Sequence, residues 1–258
     1  MFRFFRAIRR DLFEQGRLRT YVGYAVGEII LVVAGILIAL QINSANEARL
    51  ERQKELRFLA NLRVDLEYTI RELDRFIETR ESRIESGQRI IDYFNGRPLE
   101  DLNDFGYHNV FVQTWQRYYQ NINTYEELVN SGNLGIISSQ EIKNGLMDLD
   151  LLYEKMKGEE DHMRFDFEGY VYRPFFDTVD IEPMSENYAY IITQGQAGSQ
   201  PPLSRESIET MLRDVRFKNG FTLVVYMMRV INIQFVEMRT IAVDLIDKID
   251  RELEVPIE

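Results

Sequence analysis

Tyr24-Ala25-Val26-Gly27-Glu28-Ile29-Ile30-Leu31-Val32-Val33-Ala34-Gly35-Ile36-Leu37-Ile38-Ala39-Leu40-Gln41-Ile42 is an apolar run interrupted only by Glu28 and Gln41. At about 1.5 Å of rise per residue it reaches roughly 28 Å, close to the ~30 Å hydrocarbon thickness of a bilayer. No charge follows Glu28 until Glu47. The run predicts a transmembrane helix over residues 21–43, with the lipid bilayer as its first partner. It exceeds the apolar core of a cleaved signal peptide, about 7–15 residues, and no A-x-A site follows it, so an uncleaved signal anchor is expected. Glu28, Val32, Gly35, Ala39 and Ile42 share one helix face, and Gly23 and Gly27 form a G-x-x-x-G pair. Small residues let helices approach closely, and an acid in hydrocarbon is costly unless it meets a partner, a cavity or the interface. Gly27, Glu28, Gly35 and Ala39 therefore form the expected face for helix association in the membrane.

Residues 1–20 precede this run with six arginines against Asp11 and Glu14. Phe2, Phe5, Ile8 and Leu12 fall at helical spacing, while Arg3, Arg6, Arg9 and Arg10 supply a basic surface. This pattern describes an amphipathic arm for an anionic leaflet. The same arginines, weighed against the mixed charges of residues 47–57, favour a cytoplasmic N-terminus and an exported C-terminal region. The expected topology is thus a single pass with an exported C-terminal domain.

The string from Tyr24 to Asn43, after its Phe- and Arg-rich arm, resembles a bacterial family of small single-pass membrane proteins of unknown function. The likeness continues more loosely through Thr124-Tyr125-Glu126-Glu127-Leu128 and Ser131-Gly132-Asn133-Leu134-Gly135-Ile136-Ile137. Ser44-Ala45-Asn46 departs from it where the family has an Asn-Trp-Asn-Glu sequence. The resemblance implies an envelope protein and brings no catalytic residues with it.

Beyond the span the expected fold is mainly α, a long stalk helix leading into an exported antiparallel helical bundle. From Ala45 to Phe94 the only helix breaker is Gly87. Leu59, Leu62, Leu66, Ile70, Leu73, Ile77, Ile84 and Ile91 trace a drifting apolar stripe with Arg and Glu on the remaining surface. This reads as a stalk over residues 44–98, ended by Asn95-Gly96-Arg97-Pro98. Continuous from Tyr24, it would extend on the order of 100 Å. The bundle would occupy residues 99–258, with a helix around 108–120, capping boxes at Thr124/Glu127 and Ser138/Glu141, and a helix from Ser138 to about Tyr172. An irregular loop is expected over 174–204, where Pro174, Pro183, Pro201 and Pro202 accompany Gly195 and Gly198. After a possible break near Asn219-Gly220 comes the cleanest periodicity. Phe221, Val224, Met228, Ile231, Phe235, Met238, Ala242, Leu245 and Ile249 alternate spacings of three and four, a heptad seam expected to pack against several helices.

The composition excludes more than it assigns. The chain has 258 residues, a formal charge of −11, no cysteine and two histidines. Acidic character argues against nucleic acid, and the missing cysteines exclude disulfides and thiolate chemistry. No nucleophile elbow, P-loop, dinucleotide fingerprint or zinc-protease motif is present. Glu159-x-x-His162 is half of a bundle di-metal motif, but His108 has Phe105 where the second glutamate belongs. No catalytic, cofactor or metal residues are assigned, and a non-enzymatic role in assembly is expected, as a homo-oligomer or a subunit of a larger membrane complex. The alternative is a ligand-sensing exported domain with an aromatic pocket near Trp115, Tyr118, Tyr119 and Tyr125, working through a partner.

Overall fold

The structure, a computed structural model, describes residues 18–254 of the chain. It is mainly helical, with no strand among the described residues. Two compact units divide the described residues, meeting in sequence at Leu56 and Arg57. Helix α1 (Leu18–Phe94) contributes to both. The arm residues Arg3, Arg6, Arg9 and Arg10 lie outside the described residues.

In the first unit α1 exposes its apolar side chains, with Ile29 at 63% and Leu31 at 75% accessible. An 18-residue window here has a mean hydropathy of 2.5 and none of it is buried, which makes the segment a candidate membrane span. No break in helical geometry marks residue 43, because the polar residues that follow, Asn43 to Arg49, have no Pro or Gly among them.

The second unit is a bundle in which residues 57–94 of α1 are a core element. Residues 57–94 thus lie in the same compact unit as the helices that follow them. The remaining long helices are α4 (Gln140–Asp166) and α8 (Val215–Leu253). Shorter helices fill in around them: α2 (Leu102–Gln113), α3 (Asn123–Asn130), α5 (Arg173–Thr178), α6 (Glu182–Ile192) and α7 (Arg205–Leu212). Arg63 Nε donates to Asp250 Oδ1 at 2.6 Å, the Phe76 and Phe235 rings meet at 5.9 Å, and Phe94 reaches Phe221 at 6.2 Å. Rising numbers on α1 pair with falling numbers on α8, so these helices are antiparallel. α4 also runs against α8, since Lys248 reaches Glu141 and Leu245 covers Gly145.

The α8 seam is buried as its spacing requires, from Phe221, Ile231, Phe235 and Met238 at 0% exposure to Val224 at 1% and Met228 at 3%. The α1 seam differs from the aliphatic stripe. The buried set runs Leu59, Leu62, Leu66, Thr69, Leu73, Phe76, Arg80, Arg83, Gly87 and Ile90, whereas Ile70, Ile77 and Ile84 are half-buried. Heptad spacing is kept throughout, and two arginines occupy seam positions.

Other expectations are corrected by local chemistry. The irregular loop over 174–204 contains α5 and α6, and only residues 179–181 and 193–204 are non-helical. Pro183 sits in the first turn of α6, where a missing N–H removes no intrahelical bond, whereas Pro174 lies within a helix that runs on from the turn before it. Gln194, Gly195 and Gly198 have φ of 53°, 83° and 79°, and these left-handed residues end α6. Thr124 forms no capping box. Its backbone N–H donates to Asp65 Oδ2 at 2.8 Å, so a carboxylate of α1 caps α3 from outside. The cap of α4 is Ser139 rather than Ser138, accepting from Ile142 N. Asn219-Gly220 does not break α8, because Gly220 is buried inside it against another backbone. A window of α8 is apolar enough to cross a membrane by composition, yet 56% of it is buried within the bundle, as for a core helix.

Candidate functional site

Three features of the described residues are candidates for chemistry or recognition. The first is the small-residue face of the apolar segment. Gly27 and Gly35 have no atom within 4 Å of where a Cβ would stand, and Ala39 is exposed, so the surface is flat and open. Glu28 lies in the same segment, half-buried.

The second is a charged centre inside the bundle. Arg80 is 4% exposed and Glu160 is fully buried, and the Arg80 Nη2 donates to Glu160 Oε1 at 2.9 Å. The guanidinium also lies over the Phe235 ring at 4.7 Å. One turn on, Arg83 is 9% exposed and stacks over Phe111 at 5.7 Å. Burial lowers the pKa of Arg80 against the opposing pull of Glu160. It lowers that of Arg83 as well, with the Arg80 charge adding to the effect. Burial pushes the Glu160 carboxyl up, opposed by Arg80 and by the backbone N–H of Tyr118. Arg80 Nη1, Arg83 Nε and Glu160 Oε2 have no hydrogen-bond partner. Arg80 thus pairs with a carboxylate in a low-dielectric interior, and Arg83 lies one turn on with its charge opposing that of Arg80.

The third is a cavity of about 680 Å³ at the junction of α4, α5 and α8. Between α4 and α5 the helix widens into a π segment, Phe167–Tyr172. Its cause is Pro174, which has no N–H for the carbonyl four residues back and whose ring would strike it in a regular α-helix. The wider turn keeps the helix continuous, and Met163, Phe167, Val171 and Phe175 stay buried at a spacing of four. It also aims the Tyr170 carbonyl at α8, where a Cβ on Gly220 would stand 2.5 Å from the oxygen. Backbone cannot yield as a side chain tip can. Gly220→Ala is expected to lower unfolding stability by about 1–3 kcal/mol in urea titrations, with the helical content of the folded state unchanged. Cavity walls come from Asp166 and His162 of α4, Gly169 and Tyr170 of the π segment, and Asn219 and Leu223 of α8.

The aromatic residues expected to form a pocket do not gather around one. Tyr118 is 1% exposed, packed edge-on to Phe76, Tyr153 and Phe235, whereas Tyr119 is 72% exposed. Trp115 packs on Phe167 at 5.9 Å, and Tyr125 is buried in α3. His108 Nδ1 pairs with Ser86 Oγ at 2.9 Å, and burial pulls its pKa down despite nearby Asp104. Glu159-x-x-His162 diverges around its helix: His162 turns to Asp166 at 3.5 Å, and the intervening Glu160 turns inward to Arg80. The buried arginines escaped the sequence reading because charged seam positions look like solvated ones. Their signal was the heptad register itself, which passes through Arg80 and Arg83 without a phase change.

A family described only as being of unknown function, DUF6090, matches residues 28–173, more than half of the chain. No curated protein and no solved structure matches it.

Proposed function

The chain belongs to DUF6090, a family of unknown function, so no activity comes with membership, and we propose that the protein is a membrane-anchored structural or accessory protein acting by helix-mediated assembly. It would work as a homo-oligomer or as a subunit of a larger membrane complex, held in a bacterial inner membrane with its N-terminus cytoplasmic and its bundle periplasmic. The observation that carries this reading is the apolar segment of α1, with a mean hydropathy of 2.5 and no part of its window buried. Such a surface needs lipid, another helix, or both. The open backbone at Gly27 and Gly35 favours a helix on that face, since small residues allow the close approach on which association in lipid depends. The six arginines ahead of the span support the orientation.

Because the chain has no cysteine, single introduced cysteines report on the interface directly. After oxidation in native membranes, Ala39→Cys is expected to give a disulfide-linked dimer, and Leu37→Cys, on another face, is not. Glu28→Gln or Gly35→Leu added to Ala39→Cys should weaken association by about 1 kcal/mol and reduce the dimer accordingly. Equal crosslinking at both positions, insensitive to Glu28 and Gly35, would reduce the segment to a simple anchor.

A further inference from the structure

The cavity beside the π segment has a chemical bias that the assembly reading does not use. Asp166 is 5% exposed, lines the cavity, and its Oδ2 makes no hydrogen bond. The other ionic groups nearby are already matched. The Arg216 guanidinium is held by Asp214, with Nε at 3.1 and 3.0 Å from the two carboxylate oxygens, and Arg164 is held by Glu168 at 2.9 Å. His162 places Nε2 at 3.5 Å from Asp166 Oδ2, beyond hydrogen-bond reach, and its side chain is 64% exposed and free to turn aside. The surroundings are otherwise mainly apolar, with Leu223, the Tyr170 ring and the Pro174 ring among them. A buried carboxylate oxygen with no hydrogen bond, under mainly apolar walls, selects a donor on an apolar body, and about 680 Å³ suits a small molecule.

We propose that this cavity binds a small molecule carrying a protonated primary amine on an apolar body, with the ammonium on Asp166 Oδ2 in place of the His162 ring. A buried carboxylate without a hydrogen bond is costly, and an ammonium donor meets that cost with a charge-assisted bond. A carboxylate of the same shape would face Asp166 directly and be repelled.

The proposal is tested by isothermal titration of the full-length protein in lipid nanodiscs with two probes of similar shape, phenethylamine and 3-phenylpropionate. Phenethylamine is expected to bind saturably, and 3-phenylpropionate at least tenfold more weakly. Asp166→Asn should weaken phenethylamine at least tenfold while unfolding cooperatively like the parent. If that variant does not fold, Asn219→Trp, an exposed wall position, should weaken phenethylamine by obstructing the cavity. Equal binding of the two probes, no saturable amine binding, or a folded variant that binds the amine as the parent does would overturn the proposal. Membrane crosslinking at Ala39 bears on neither outcome, so the assembly reading and this site fail separately.

Discussion

Glu160→Ala is expected to destabilise the bundle by about 3–5 kcal/mol, seen as a lower urea midpoint in the fluorescence of Trp115, the only tryptophan of the chain. The charge it removes is the sole hydrogen-bonded anion of Arg80, and Arg83 lies one turn away in the same interior. Without Glu160 the buried Arg80 charge has no counter-ion, and its repulsion of Arg83 goes unopposed. Burial of an unpaired charge, rather than the loss of one hydrogen bond, sets the size of the effect. The double variant Arg80→Met with Glu160→Met separates these causes. Removing both charges together should bring stability back to within about 1 kcal/mol of the parent, or above it, since apolar replacement of a buried pair is often neutral or stabilising. If the double variant is instead as unstable as the sum of its singles, the pair contributes net attraction to the fold.

Phe235→Ala should cost about 3–5 kcal/mol in the same assay, the range for truncating a fully buried aromatic. Phe235 is 0% exposed at the centre of the α8 seam, edge-on to Phe76 at 5.9 Å and Tyr118 at 5.3 Å. It also supplies the ring beneath Arg80. Phe235→Leu keeps most of the volume but removes that ring face, and should cost about 1–2 kcal/mol from the aromatic and cation–π contacts. The Phe235 and Arg80 substitutions touch the same atoms, so their effects should not add.

Most inward positions of α8 were legible in the sequence because they are apolar at an uninterrupted period, Gln234 being a buried polar exception. The apolar segment of α1 was legible for the same reason. Legibility failed where a side chain's partner comes from a distant part of the chain. Arg80 looks solvated until Glu160 is placed against it, 80 residues on. Thr124 and Glu127 have the letters of a capping box, but Asp65 satisfies the amide first. Pro174 and Pro183 punctuate a sequence as breakers, while in the fold Pro183 begins a helix and Pro174 lies in one kept continuous by the π segment. The cavity was invisible because its walls depend on the π segment. Even so, the four-residue spacing of Met163, Phe167, Val171 and Phe175 carries that change of period in plain view.

The antiparallel pairing of α1 with α8 imposes an order on biosynthesis. Contacts such as Gln88 to Arg229, Asp74 to Arg239 and Arg63 to Asp250 join residues 141, 165 and 187 positions apart. Loop closure on that scale precedes any gain from packing, so local helices form early and the core closes late. On a growing chain, α1 emerges with its seam uncovered and waits through the whole of α2 to α7, and α4 waits with it. Until α8 arrives, the nascent protein exposes Leu59, Leu62, Leu66 and Phe76 to whatever is nearby, and the interval before closure is its period of greatest vulnerability to aggregation and proteolysis.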